Sequence, residues 1–408
     1  MIRFGLITFF YFCFVTATAK KISLTPLQIE AMFLKQNLEL IAEQMNISIA
    51  DAAVAEAKVW DNPEFSINDI NAWSAGREKQ FSLELTQMVS LSARRAKLVN
   101  VEKIGKEIAV KHFEELLRGL KLELRSSIAE LVFFQNIIKV LEDQKSLLED
   151  VIATYKTQYE KGNIPKNEYI RLQTALFEID GDMNDIHKEL NSLQKTLKSL
   201  LAIEPLTVIV VVEEKSNYPS PVALNTDFLI EIALISRPDM QAARLQTDYY
   251  RKSIIYQKSL VVPDLNFGVK FDRYGGVWDN FFGVGVGMQV PIFNRNKGAI
   301  KTAQIQLKQS ELYAEQGRKT LQNEIIESYQ NYSNTFAFLE RSLKNPALSE
   351  LDQMLEVYTK NLIARNISMI EYMDFMNSYR STKEMFFKSQ KELRLQFEQL
   401  QFAVGKEL

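Results

Sequence analysis

The side chains best suited to metal binding or nucleophilic attack are scarce in this sequence. It holds two histidines, His112 and His187, and one cysteine, Cys13. Neither histidine has a second His or Cys at ligand spacing, so no zinc-type site is expected and both read as surface positions. Cys13 lies within an apolar N-terminal run, so no disulfide or thiolate chemistry is expected either. Gly283, Val284, Gly285, Val286 and Gly287 look superficially like a dinucleotide loop. Those glycines alternate inside a strand pattern, however, and open no helix that could cradle a phosphate. No Ser/His/Asp set or paired-carboxylate constellation stands out. These residues point away from an enzyme and predict neither a cofactor nor a metal site. Charged residues make up 25% of the chain and the formal net charge is -2. Without a basic excess to neutralise phosphates, a nucleic-acid partner is not expected.

What remains informative is how the elements are ordered, beginning with the N-terminus. Arg3, an apolar run over 4–15 and the small-residue site Ala17, Thr18, Ala19 come in the order of a secretory signal. The run is too short to span a bilayer. A signal peptide over 1–19 is expected, with the mature chain starting near Lys20. Cys13 follows Tyr11 and Phe12 rather than small residues at a cleavage point, so no lipid anchor is expected. No later stretch approaches 18 uninterrupted apolar residues, and no transmembrane helix is predicted.

The rest of the chain reads as two copies of one plan. Tyr155/Tyr358, Asn163/Asn366, Ile164/Ile367, Glu168/Glu371, Tyr169/Tyr372, Glu189/Glu392, Leu190/Leu393 and Leu197/Leu400 share one offset. Ile29/Ile230 and Pro63/Pro263 match at nearly the same offset. Each copy is a helix, a strand pair, a long helix, a turn and a returning helix. The first copy covers 20–203, the second 225–408, and 204–224 links them with three prolines and a short strand around 208–212.

In the first copy the opening helix is predicted over about 25–59, capped by Thr25 with Pro26 in its first turn. The long helix is predicted over about 92–160, a length of roughly 100 Å. Ile128, Leu131, Phe134, Ile138, Leu141, Leu148, Ile152, Tyr155 and Tyr159 recur along it at coiled-coil spacing. Gly162 and Asn163 reverse the chain into a helix over about 166–202. In the second copy Asn345 and Pro346 interrupt the long helix.

The strand pairs decide the solvent. Leu265, Phe267, Val269 and Phe271 alternate with Asn266, Gly268, Lys270 and Asp272. Val284, Val286, Met288 and Val290 alternate with Gly283, Gly285, Gly287 and Gln289, and Phe81, Leu83 and Leu85 with Ser82, Glu84 and Thr86. This is the period of a strand with one apolar and one water-compatible face. Four such strands are too few for a sandwich core, and they cannot close a barrel alone. An open edge cannot sit in lipid, because its N–H and C=O groups would go unpaired. Closure must come from further copies, eight strands from two or twelve from three. Trp73 and Trp278, in the two hairpin loops, suit a membrane–water boundary.

Two runs carry a family resemblance. Arg237, Pro238, Asp239, Met240, Gln241, Ala242 and Ala243 resemble a signature of the outer-membrane efflux protein, or TolC, family. The run from Val290 through Pro291, Ile292, Phe293 and Asn294 to Gly298 is similar to that family's strand-to-helix junction. The first-copy counterpart, Thr86, Gln87 and Met88 through Arg94 and Arg95, departs from the family pattern, with Leu91, Ser92 and Ala93 replacing glycines. The resemblance implies an α+β membrane protein. Its homotrimer would form one twelve-stranded outer-membrane β-barrel, four strands per chain, continued by a long periplasmic α-helical barrel.

Such a duct is the exit of a tripartite efflux system, working with a periplasmic adaptor (membrane fusion) protein and an inner-membrane efflux pump, and its barrel contacts outer-membrane lipid. The resemblance places adaptor docking at the hairpin tips, here Gly162, Asn163, Ile164, Arg365, Asn366 and Ile367. It places the pore gate at Glu371 and Asp374, which stand three apart on one helix face. The wording is closest to the heavy-metal-cation branch, so metal cations are the expected cargo. Drug efflux and type I protein secretion are the alternatives within the family. An exported helical spacer is the alternative outside it.

Overall fold

The computed structural model describes residues 20–71, 78–212 and 218–408. The expected signal peptide, the loop holding Trp73 and residues 213–217 of the expected linker lie outside the described residues. Strand β1 (Lys21–Leu24) precedes helices α1 (Pro26–Gln36) and α2 (Leu38–Ala57), strands β2 (Glu64–Asn71) and β3 (Gln80–Ser90), and helices α3 (Arg94–Glu160) and α4 (Lys166–Leu201). After strand β4 (Val208–Val211) come α5 (Thr226–Ser236), α6 (Pro238–Ser259), β5 (Asp264–Arg273) and β6 (Asn280–Met288). Helices α7 (Lys297–Leu343), α8 (Pro346–Ile363) and α9 (Met369–Val404) complete the chain. Helix α3 is unbroken over 67 residues, whereas Pro346 starts a new helix in the second copy. That proline has no N–H to donate and disfavours helical geometry at Asn345.

The opening helix is not continuous, contrary to the expectation over 25–59. Thr25 and Gln28 form a capping box at the start of α1, and the helix stops at Asn37 with ψ 118°. The side chain of Asn37 is buried and its Nδ2 donates to the Leu200 carbonyl at 2.9 Å. The second copy breaks at the equivalent place, Arg237, with ψ 126°. There Pro238 supplies the reason, since the residue before a proline is pushed out of helical geometry. At Asn37 no proline follows, and a tertiary hydrogen bond accompanies the break instead.

The chain divides into two compact units that each draw on both sequence copies. The first takes in residues up to Leu38, Lys121–Pro219 and Ser333–Glu398. Its core joins Leu141, Leu148, Val151 and Tyr155 of α3 to Leu172, Ala175 and Ile179 of α4, with Leu355 and Leu362 of α8 and Tyr372 and Met376 of α9. Of the predicted α3 stripe, Ile128, Leu131, Leu141, Leu148 and Tyr155 are buried, while Phe134, Ile138, Ile152 and Tyr159 are only half-buried. Leu124, Ile137, Val140 and Val151 complete the face. The predicted strand around 208–212 exists as β4, which pairs in parallel with β1 from Lys21↔Val208 to Leu24↔Val211. Gln194 exchanges both hydrogen bonds with the backbone of Ile209, at 2.6 and 2.9 Å, and Gln135 does so with Val211, at 3.0 and 3.1 Å. Helix glutamines thus occupy backbone groups that a two-stranded sheet would leave open.

The second unit comprises Glu39–Leu120, Ser220–Tyr332 and Gln399–Leu408. It holds an antiparallel four-stranded sheet in the order β2-β3-β5-β6. The register sets Ile67, Leu83, Phe271 and Phe282 in one row and Phe65, Leu85, Val269 and Val284 in the next. These rows share one face. The opposite face carries Glu84, Lys270 and Gly283, then Thr86, Gly268 and Gly285.

Candidate channel wall and hairpin tips

Much of the sheet's apolar face is exposed among the described residues. Phe65 is 62% exposed, Phe282 70% and Val284 80%, and β2 and β6 are free edges among the described residues. The four strands hold eight, eleven, ten and nine residues, the span a tilted strand needs to cross a bilayer. The polar face forms a concave surface lined by Glu64, Glu84, Thr86, Lys270 and the glycines of β5 and β6. A Cβ added at Gly285 or Gly287 would meet nothing within 4 Å, so close packing inside one chain does not require glycine there. Among the described residues no helix is long and apolar enough to cross a membrane.

Both tips use the same turn. At the end of α3 the Gly162 amide donates to the Tyr159 carbonyl at 2.9 Å and the Asn163 amide to the Gln158 carbonyl at 2.9 Å. This pair of bonds is the Schellman motif, which needs a left-handed residue at the reversal. Gly162 supplies it with φ +76°. At the end of α8 the Arg365 amide donates to Leu362 at 3.0 Å and the Asn366 amide to Asn361 at 2.9 Å. There the left-handed residue is Arg365, with φ 62°. Each asparagine side chain repeats its own backbone bond. Asn163 Nδ2 donates to Gln158 Oε1 at 2.8 Å, and Asn366 Nδ2 to Asn361 Oδ1 at 3.2 Å.

The structure brings most of the expected tip residues together. Ile164 and Ile367 pack against the same hydrophobic core, and Arg365 Nη2 donates to the Asn163 carbonyl at 3.3 Å. Tyr159 stacks on Tyr169 with ring centroids 5.7 Å apart, and Tyr358 on Phe375 at 4.1 Å.

Glu371 and Asp374 both lie on the exposed side of α9, away from the buried Tyr372 and Met376. Glu371 also has a local task. Its Oε2 accepts from the Ser368 amide at 2.7 Å, and its own amide donates to Ser368 Oγ at 3.2 Å. This reciprocal pair is a capping box. The hydrogen bonds from Ser368 hold the Glu371 carboxyl below the usual carboxylate range. Further up the hairpin, Tyr379 donates to Asp352 Oδ1 at 2.9 Å and Lys383 contacts Asp352 Oδ2 at 2.7 Å, a network the sequence did not single out. His112 and His187 belong to no cluster of ligating residues, and no such cluster occurs among the described residues.

Taken with its long paired helices, this unpartnered sheet gives the chain the fold of an outer-membrane channel protomer. It is similar at TM-score 0.73 to the channel-forming protein CusC, with 14% identity over 94% of this chain and 92% of that one. It is similar at 0.76 to the CmeC outer membrane channel of Campylobacter jejuni, with 12% identity over 93% and 85% of the two chains. It is similar at 0.73 to the outer membrane protein VceC of Vibrio cholerae, with 11% identity over 93% and 96%. No curated protein sequence matches. Residues 229–339, within the second copy, match the family model described as outer membrane efflux protein. The family matched and the folds matched are of efflux and channel proteins, in accord with the expectation that the chain is not an enzyme.

Proposed function

We propose that this chain is the outer-membrane exit duct of a tripartite efflux system. The observation that carries the reading is the four-stranded sheet, which has a bare apolar face and two free edges. Neither feature is tolerable in a solitary chain in water, and both are met by closing the sheet with other copies inside a bilayer. Three copies give a barrel of twelve strands. The long helices of the same copies wall the periplasmic tunnel.

In this reading the turns at Gly162, Asn163, Ile164 and at Arg365, Asn366, Ile367 receive the periplasmic adaptor, and an inner-membrane pump delivers the cargo. Glu371 and Asp374 narrow the inner end as a ring of carboxylates, a setting that favours cations. Heavy-metal cations are the cargo we assign. The support is the resemblance of the Arg237 to Ala243 and Val290 to Gly298 runs to the metal branch together with that acidic pair. The spacer alternative loses support, because a spacer has no use for strands with a bare apolar face.

The test is conductance of the purified chain in planar bilayers, with its oligomeric state in mild detergent. A conducting trimer is expected, and a detergent-free monomer that leaves bilayers silent would refute the duct. Cargo is read separately, as the tolerance of a deletion strain to metal salts and to organic drugs. Lost drug tolerance with unchanged metal tolerance would reassign the cargo and leave the duct standing.

A further inference from the structure

In the second unit the helices stand in the same order as the strands. Asp51 of α2 meets Lys106 of α3 at 2.7 Å. A Cβ added at Gly105 of α3 would lie 3.8 Å from the Tyr249 ring of α6, and one at Gly317 of α7 would lie 3.6 Å from Met240 Sδ of α6. Asn296, just before α7, donates to the Gln257 side chain of α6 at 2.9 Å. The row is therefore α2-α3-α6-α7. Its ends are α2 and α7, as β2 and β6 are the ends of the sheet.

Both end helices carry a bare apolar stripe. Ile41, Met45 and Ile49 fall on one face of α2, away from its buried Leu40, Val54 and Ala57, and Met45 is 59% exposed. Ile305 and Leu312 share a face of α7, away from the buried Ala303, Ser310 and Leu321, and Leu312 is also 59% exposed.

The duplication indicates what fits these stripes. At the spacing of Pro63/Pro263, Met45 and Ile49 are the counterparts of Leu245 and Tyr249. At the spacing of Arg94/Lys297, which begin α3 and α7, Ile305 and Leu312 are the counterparts of Glu102 and Ala109. All four counterparts are half-buried, because α6 of the second copy lies along α3 of the first. That contact is antiparallel. Tyr249 faces Gly105, and further along α6 Tyr256 and Leu260 line one cleft with Leu98 and Glu102. Its twin would be α2 on α7, and within one chain both of those faces are exposed.

We infer that α2 packs antiparallel on α7 of a second copy, in the register that Tyr249 and Gly105 set inside one chain. Carried over by the two spacings, that register puts Met45 against Leu312, Ala52 against Ile305 and Glu56 against Lys301. Apolar residues then meet apolar ones, and the charged pair is of opposite sign. Lys308 stands at the place of Gly105, and its aliphatic stem covers Ile49 while the ammonium stays in water. The contact uses different faces on the two copies, so repeating it gives a ring once the rotation closes. It runs on from the joint that the free edges of β2 and β6 need. The inference rests on the duct reading for the number of copies, and it adds which helix faces meet and in what register.

The experiment is disulfide cross-linking of the full chain in mild detergent, read as a ladder on a denaturing gel without reductant. Cys13→Ser removes the sequence's own cysteine. The registered pairs are Met45→Cys with Leu312→Cys and Ala52→Cys with Ile305→Cys. Shuffling the same four sites gives Met45→Cys with Ile305→Cys and Ala52→Cys with Leu312→Cys, each out of register by about 10 Å along the helix. A disulfide needs Cα atoms within about 7 Å, so the registered pairs should link copies at least tenfold more than the shuffled ones. All four sites are exposed in the single chain, so the variants leave its core intact. Met45→Asp and Leu312→Asp should each raise the dissociated fraction at least tenfold, whereas Phe177→Asp, an exposed apolar site on α4, should leave it unchanged. Equal linking by all four pairs, or linking by the shuffled pairs alone, would overturn the register. Conductance in the same preparations separates the two readings. Conducting trimers in which no registered pair links sink the helix contact alone. A registered ladder from a preparation that leaves bilayers silent sinks the duct alone.

Discussion

Replacing Arg237 with Met should loosen the C-terminal segment of the second unit by about 100-fold in amide exchange. The Arg237 side chain is only 6% exposed. Its Nε donates to Asp239 Oδ1 at 3.0 Å and its Nη2 to Asp239 Oδ2 at 2.6 Å. Its Nη1 donates to Glu324 Oε2 at 2.6 Å and to the Ala403 carbonyl at 3.1 Å. One guanidinium therefore ties the start of α6 to α7 and to the last turn of α9. Gly405 lies so close that an added Cβ would come within 2.7 Å of Arg237 Cγ.

A hydrogen bond to a charged group contributes roughly 1.5–3 kcal/mol when shielded. Asp239 and Glu324 are 36% and 42% exposed, so screening reduces their share, and both regain water once the arginine is gone. We therefore take about 3 kcal/mol for the whole constellation, the low end for breaking a buried pair. At about 1.4 kcal/mol per tenfold, that is a factor of about 100 in local opening. The assay is hydrogen exchange of the full chain in detergent, read at 399–408 and at the start of α6. Met is chosen because it keeps most of the volume. Lys should fall between, since one ammonium cannot reproduce the two-pronged bond to Asp239. Exchange in Arg237→Met within threefold of wild type would refute the reasoning.

The same site sets a pH dependence. Burial works to raise the Asp239 carboxyl, but the hydrogen bonds and charge of Arg237 outweigh it and leave the group below the usual carboxylate range. A depressed folded pKa contributes stability that is present above the unfolded value and lost as pH falls through the folded one. Protection at 399–408 should therefore fall only below the ordinary carboxylate range, and Arg237→Met should flatten that dependence. A Gly162→Val substitution forces a β-branched residue to φ +76° and should destabilise the first turn by about 1–2 kcal/mol, seen as faster exchange at 158–166. Ser368→Ala removes the cap of α9 and should cost about 1 kcal/mol, read as fraying over 368–373. Val284→Lys places a charge on the bare apolar face and should cost about 2–4 kcal/mol at mid-bilayer, read as lost assembly in outer-membrane fractions.

Much of the fold could be read from the sequence because its signals are periodic and long. Strands β3, β5 and β6 alternate over six or more residues and the α3 stripe extends over many turns, so each has enough repeats to outweigh local noise, whereas β2 loses its alternation at Asp69, where the register shifts. What escaped is what depends on distant contacts. The break at Asn37 is accompanied by a bond to Leu200, 163 residues away, and no local rule anticipates it. Its twin at Arg237 was announced by Pro238, and the duplication could have carried that break back to Asn37. Strand β1 has only four residues and pairs with β4 far along the chain. Among the tip residues, Gly162 was visible by type, whereas Arg365 was found only by alignment with it. A left-handed arginine has no signature of its own.

Glu371 combines a structural role with the pore role proposed for it. Ser368 and Glu371 spell a capping box in the sequence, and the structure forms it. The cap uses Oε2 and fixes the direction in which the carboxylate lies. It also keeps the group ionised, since hydrogen bonds from Ser368 pull its pKa down. Asp374, one turn on, stands on the same exposed side. In a closed ring, like charges from three copies would work the other way and favour protonation. The cap opposes that tendency at Glu371. Asp374→Ala and Glu371→Ala should each weaken cation block in planar bilayers. Raising salt to 1 M, where the Debye length is about 3 Å, should weaken the block as well. Cation block unchanged in the Glu371→Ala, Asp374→Ala double variant would take both residues off the pore axis and leave Glu371 with its cap alone.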